Sequence, residues 1–251
     1  MDELITVHDE PSAPTSADAF DMLRTNADLR AERERIAPYL SAAPDRTLAF
    51  VAQMDLGVPE GPVVYICAMH QDVVSDESGH CPKCGMKLVP AHLVSEGGHE
   101  HGHDHHEGGH THDTAQGIEW EDDMVEVNRI TTPANMRWKL IDRSTGAENV
   151  AIDWRFRVGD HVKIRLVNEM DSDHPMPHPF HIHGAGRFLI LARDDVPESN
   201  LVWKDTVLVR TGETVDILLD VTNPGLWMAH CHIAEHHESG MMFSFHVDDV
   251  P

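Results

Sequence analysis

The stretch that most constrains this chain runs from Leu226 to Met242, through Trp227-Met228-Ala229-His230-Cys231-His232-Ile233-Ala234-Glu235-His236. A thiol sits between two imidazoles, with His236 five residues beyond it and Met241 ten residues beyond it. Two His, one Cys and a weakly bound axial Met are the donor types of a blue-copper site. The apolar run Leu226–Ala229 reads as a strand leading into this stretch, and strand side chains alternate between faces. His230 and His232 are therefore expected on one face and Cys231 on the other, so that neighbouring residues serve two metal centres.

A second stretch, His178-Pro179-Phe180-His181-Ile182-His183-Gly184, supplies further donors. His181 and His183 share a face by the same period of two, and His178 stands apart across a proline expected to bend the chain. Together, His-Pro-x-His-x-His-Gly and His-Cys-His-x-x-x-His-x-x-x-x-Met resemble the two C-terminal copper motifs of the multicopper oxidases, the family of laccases and cuprous oxidases. The resemblance implies that His178, Cys231, His236 and axial Met241 hold a type 1 copper. It gives His181 to a type 2 copper, and His183, His230 and His232 to a type 3 pair. It also implies one-electron oxidation of a phenolic or metal-ion substrate, with dioxygen as the final acceptor. The resemblance also makes Asp205 a candidate to orient an imidazole. His237 stands where relatives carry an acidic proton donor, and Glu235 and Glu238 are substitutes for that work.

The chain is expected to be mainly β. Short alternating segments at Met136–Ile141, Val150–Val158, His161–Asn168, Phe188–Ala192, Thr206–Val209, Thr214–Val221, Leu226–Ile233 and Met242–Val247 are separated by Gly-Asp, Thr-Gly and Asn-Pro-Gly turns. This pattern indicates a Greek-key β-sandwich, here a cupredoxin, with Ala234–Ser239 forming one helical turn that returns His236 to the copper. Arg46–Met54 reads as an edge strand of the same sandwich. Residues 1–45 form a helical linker segment, with helices at Ala17–Arg24 and at Ala27–Ile36, the second stopping before Pro38. The copper domain thus comprises 46–56 and 116–251, interrupted by a small metal-binding unit and a linker.

Within residues 62–92, Cys67-x-x-His70 and Cys81-x-x-Cys84 are two chelating knuckles suited to one tetrahedral site. So short a unit cannot bury a stable core without a metal. It resembles the heavy-metal-binding domain of copper and silver efflux proteins, with Ala68, Gln71 and Ser78 where proline is usual. The knuckles suit zinc, and the thiolates with Met69 and Met86 suit Cu(I). Residues 93–115, with His99, His101, His103, His105, His106, His110 and His112, form a low-complexity His-rich linker that is expected to be disordered.

The balance of 43 Asp+Glu against 19 Lys+Arg argues against nucleic acid and anionic membranes as partners. No apolar run is long enough to span a bilayer, and Met1-Asp2-Glu3 opens no export signal. The resemblance nevertheless implies an exported, periplasmic or extracellular protein. In that family the three-copper cluster takes eight histidines, and these C-terminal motifs supply four. The sequence therefore points to a partner: an N-terminal oxidase half or an oligomer mate, such as a two-fold homodimer facing two half-clusters. The alternative is a mononuclear blue-copper carrier or copper-binding module that does not reduce dioxygen.

Overall fold

The computed structural model describes residues 27–57, 61–95 and 125–249. The expected helix Ala17–Arg24 and the His-rich linker lie outside them. The N-terminal unit contributes one helix, α1 (Ala27–Ser41). It runs through Pro38, where an end was expected. A proline there forfeits one backbone hydrogen bond, and Pro38 lies in the last turn, where little helix remains to be disturbed.

The second unit begins at Ala42. Its elements in chain order are β1 (Arg46–Met54), β2 (Tyr65–Ile66), β3 (Val74–Ser75), β4 (Val89–Pro90), α2 (Ala91–Ser95) and α3 (Val125–Ile130). There follow β5 (Met136–Asp142), β6 (Arg155–Arg157), β7 (His161–Asn168), β8 (His178–Ile182), β9 (Gly186–Arg193), β10 (Val196–Pro197) and β11 (Trp203–Lys204). The chain closes with β12 (Thr206–Val209), β13 (Thr214–Val221), β14 (Gly225–Cys231), α4 (Ala234–Glu238) and β15 (Met242–Asp248).

The strands form a larger sheet in the order β10-β9-β13-β7-β1-β5, with β11 added to β9, and a smaller one in the order β12-β8-β14-β15-β6. The mainly β, cupredoxin-like sandwich is thus the architecture observed. β1 is not an edge strand: it pairs in parallel with β7 and antiparallel with β5. Its apolar residues explain the interior position, since Leu48, Ala49, Phe50, Ala52 and Met54 are all buried. The expected strand over Val150–Val158 is shorter, because Asn149–Ala151 form a 3₁₀ turn and only Arg155–Arg157 pair.

The sheets meet through large apolar side chains. Phe50 of the larger sheet lies edge-on to Phe180 of the smaller, with ring centroids 5.5 Å apart. Burial of such side chains supplies most of the stabilisation of a sandwich, about 1.5–3 kcal/mol for each fully buried one. Pro179 does not bend β8; it stays in register opposite Leu208. β8 is therefore a continuous strand, with His178 and Phe180 facing the core and His181 the opposite surface.

The knuckle-bearing insertion forms a separate three-stranded sheet, β3-β2-β4. Its own core is small: Cys67, Cys81 and Leu88, with Tyr65, Met69, Val73 and Cys84 packed around them. Met86 and Val89 instead reach into the main core. Among the described residues no helix is long and apolar enough to cross a membrane.

Candidate metal centres

β14 delivers the donors to both faces of the smaller sheet. Cys231 faces inward into the main core, and His230 faces the other way, in register with His181 of β8. On the inner side, Cys231 Sγ lies 3.6 Å from His178 Nδ1 and 3.5 Å from His236 Nδ1. The two Nδ1 atoms are 3.2 Å apart. α4 returns His236 to this point, as its position after Cys231 requires. Met241 is fully buried; its N–H donates to the His236 carbonyl (2.9 Å) and its carbonyl accepts from the Cys231 N–H (3.2 Å).

Burial sets the charge state of this inner set. It pushes His178 down to about 3 and His236 down to about 2, and it raises the Cys231 thiol to about 12. The donors are therefore neutral at pH 7, with two imidazole nitrogens facing each other across 3.2 Å. Two lone pairs at that distance repel unless a proton or a cation lies between them. A thiophilic cation that displaces the thiol proton satisfies all three atoms together, so the residues fit a copper of the blue type. His236 Nε2 is buried without a hydrogen-bond partner. The ring itself is stacked on Trp138, with centroids 3.6 Å apart and planes at 22°.

The outer cluster gathers His181, His183, His230 and His232, as the period of two predicts. His181 lies 4.5 Å from His183 and 5.1 Å from His232 between ring centroids. His230 stacks on both His183 and His232 at 5.0 Å. Two of these imidazoles are oriented by main-chain carbonyls. His230 Nδ1 donates to the Cys231 carbonyl (2.8 Å), and His181 Nδ1 donates to that of Asp205 (2.9 Å). Their Nε2 atoms are thereby left as acceptors or ligands. His183 Nε2 lies 2.9 Å from His230 Nε2, a pair that again calls for a shared proton or cation.

Asp205 orients His181 through its backbone; its exposed carboxylate instead accepts from Thr206 Oγ1, which also contacts His181 Nδ1. Gly184 has φ +47°, and a Cβ there would lie 1.9 Å from the Trp227 ring, so only glycine lets Trp227 close over the turn after His183. His181, His183 and Asp205 line an open groove of about 640 Å³.

The substitute proton donors lie elsewhere. His237 does meet the outer cluster, its ring 4.8 Å from that of His230, and its Nε2 is buried without a partner. Glu235 and Glu238 point the other way, because one turn of α4 carries them to a different cavity of about 440 Å³. That cavity is lined by Met136, Trp138, His174 and Met176 as well. The sequence reading missed Trp138 and His174. His174 is buried, its Nδ1 has no partner, and desolvation lowers it to about 4. Its only signal is the repeated proline pattern His174-Pro175-Met176-Pro177-His178-Pro179.

In the insertion, Cys67, His70, Cys81 and Cys84 present their ligand atoms within 4.8 Å of one another. Cys67 Sγ is 3.7 Å from Cys84 Sγ and 3.7 Å from His70 Nδ1, and Cys81 Sγ is 3.7 Å from the same nitrogen. The Cys84 thiol beside it holds Cys67 well below the usual thiol range, and Cys84 is raised in turn, so the pair shares one proton. Such a donor set fits a tetrahedral thiophilic metal.

Comparison with known proteins agrees with these two kinds of site. A family model described as multicopper oxidase matches residues 120–251, and one described as heavy metal binding domain matches residues 64–91. The chain is similar to a multicopper oxidase of Staphylococcus epidermidis, 36% identical over 93 residues, covering 36% of this chain and 21% of that one. A laccase of Phlebia radiata is 38% identical over 78 residues, covering 30% and 15%. Among solved structures, a multicopper oxidase of Aquifex aeolicus shares 38% identity over 41% of this chain and 22% of its own, with a TM-score of 0.33. The matches thus span about a fifth or less of the relatives' length.

Proposed function

Because this chain belongs to the multicopper oxidase family, we propose that it is the C-terminal, substrate-oxidising part of a copper-dependent oxidase. Residues 46–56 and 116–251 make the copper domain, 62–92 the metal-binding insert, and 93–115 the linker. His178, Cys231, His236 and Met241 would hold a type 1 copper. His181 would serve a type 2 copper, and His183, His230 and His232 a type 3 pair. When bound, copper supplies one-electron oxidation of a phenol or metal ion and, as a three-metal cluster, reduction of dioxygen to water.

The observation that carries this reading is the placement of two donor sets on opposite faces of one strand, with Cys231 covalently joined to both His230 and His232. The protein's work is to fix these ligands and join the two sets. His178 and His236 enter the inner set neutral, so they do not repel a cation. Trp138 covers one face of the His236 ring, and Phe50 stacks on His178 at 5.4 Å, so water is kept from the inner set. Asp205 and Thr206 hold His181 in one tautomer. His237, next to His230, is placed to pass protons toward the outer cluster.

The outer cluster lies open, with His232 exposed and His181 and His183 half-buried. Four more histidines from an N-terminal oxidase half, or from a second copy of the chain, complete it, and the whole protein acts outside the cytoplasm. The test is dioxygen uptake with a phenol or Cu(I) by copper-loaded chain, with and without such an N-terminal half. Uptake that depends on the added half is expected, together with a blue absorption band lost in Cys231→Ser. Full turnover by a strictly monomeric chain alone refutes the divided cluster.

The same openness favours a second reading, a blue-copper carrier that never completes the cluster. Replacing His181, His183, His230 and His232 together separates the two. A carrier keeps its electron-transfer rate, and an oxidase loses oxygen reduction.

A further inference from the structure

Besides the packing of Met86 and Val89 into the main core and a Lys87 Nζ bond to the Met54 carbonyl (2.5 Å), Asp173 gathers several of the hydrogen bonds that fasten the insertion to the sandwich. Asp173 accepts from the Lys87 N–H through its carbonyl (2.9 Å), and its carboxylate meets His80 Nε2 (3.2 Å) and Lys87 Nζ (3.1 Å). The same carboxylate accepts from the Met54 N–H (2.7 Å), and the Asp173 N–H donates to the Ala52 carbonyl (2.9 Å). Asp173 is therefore a junction between β1 and the second knuckle. His80 and Lys87 flank that knuckle on either side of Cys81 and Cys84. Its tip also rests on the junction segment: at Gly85, with φ +78°, a Cβ would lie 3.0 Å from Met170 Cε and 3.2 Å from Pro175 Cγ.

The next residue after Asp173 is His174. Its ring lies edge-on to Trp138 at 5.5 Å, and Trp138 is stacked on His236. A contiguous series of contacts thus runs from the insert's cysteines through His80, Asp173, His174 and Trp138 to a donor of the inner set. The insert's own core is three buried residues with a few flanking side chains, too small to hold the knuckle in shape unaided. The positions of His80 and Lys87 then follow whether Cys67, His70, Cys81 and Cys84 hold a metal ion.

We propose that this Cys₃His cluster is a regulatory metal site: a thiophilic ion bound there fixes residues 169–177 through Asp173 and so sets the packing of His174 and Trp138 on His236. The effect on His236 rests on the type 1 reading above; the ordering of 169–177 does not. Asp173 is a positioning residue, since it touches no reacting atom. A ligand at one site shifts another only through contacts that differ between two states, and in this proposal those contacts are the bonds of Asp173 to His80 and Lys87.

The test uses the full chain with Zn(II) as probe. Amide exchange across 169–177 should slow at least about fivefold on adding Zn(II), in the range of ordinary site-to-site coupling. The same Zn(II) should shift the reduction potential of the copper-loaded blue centre. Asp173→Asn, which leaves every ligand in place, should still bind Zn(II) yet lose most of both responses. Lys87→Met serves the same purpose if Asp173→Asn does not fold, and Cys81→Ser/Cys84→Ser should abolish both responses. Equal exchange with and without Zn(II), an undiminished response in Asp173→Asn, or a response that survives in Cys81→Ser/Cys84→Ser overturns the proposal. An unchanged potential alongside slowed exchange overturns the link to His236. A copper-loaded chain with no blue band refutes the type 1 reading instead, and the exchange result then decides this one.

Discussion

The inner donor set and the insert's cysteine site use the same kinds of atoms under opposite conditions. His178, Cys231 and His236 are held by strands β8 and β14 and helix α4 of a large sandwich, and all are buried and neutral. Cys67, His70, Cys81 and Cys84 sit in the turns beside two-residue strands around a minimal core, with a thiol pair sharing a proton. In the first case a large core positions the donors; in the second the local core is so small that a bound metal would add much of its stability. Chemically similar donors therefore need not respond alike to the removal of their metal.

The largest expected effect separates the two by chelation. Structural zinc contributes on the order of 10 kcal/mol to the folding of small metal domains at pH 7. Stripping all metal should unfold residues 62–92 while the sandwich keeps its β spectrum and cooperative melt. A sandwich that unfolds together with the insert would erase the contrast.

A smaller effect should appear in acid, and in the metal-free sandwich. Folding lowers His174, His178 and His236 below the ordinary 6.5, so the unfolded chain binds more protons as pH falls beneath that value. These histidines cost no stability above about pH 6.5, and stability is lost as pH falls below it, down to about 4 for His174, 3 for His178 and 2 for His236. The loss should approach about 1.4 kcal/mol per pH unit for each histidine. Denaturant melts between pH 7 and 4.5 measure it. The raised Cys231 adds nothing in this window, because its thiol is protonated in both states. A flat profile would mean that the three imidazoles are hydrated.

The smallest effect concerns the outer cluster, where only His230 is buried. Gly184→Ala drives a Cβ into the Trp227 ring at a positive φ and should cost roughly 2–3 kcal/mol through overpacking and backbone strain. It should leave the blue band of the inner set in place while disordering His183. Loss of the blue band in Gly184→Ala would show that the two faces of the sheet are not independent.

Much of this arrangement was legible in the sequence because it rests on strand alternation. Period two separates Cys231 from His230 and His232, and His178 from His181, whatever the rest of the chain does. The sandwich, the helical turn at α4 and the insert's two knuckles were readable from local spacing. What escaped depends on contacts between distant segments. Trp138 looks like any half-apolar strand residue until the fold stacks it on His236. β1 was read as an edge because its neighbours, β5 and β7, come much later in the chain. Glu235 and His237 are two residues apart, yet the turn of α4 sends one to a cavity beside Trp138 and the other to the outer histidines. Pro179 reads as a bend and Pro38 as a helix stop, but the register of β8 and the short remainder of α1 absorb them.

Met54 closes β1 and stands directly opposite Met136, which opens β5. Everything from 55 to 135, the cysteine knuckles included, therefore departs from and returns to a single rung of the ladder. For an evolving gene such a rung is a port: closing an ever longer loop costs only about 0.6 kcal/mol for each doubling of its length. A sensor could be plugged in there, traded for another, or cut out, and the strands on either side would keep their partners.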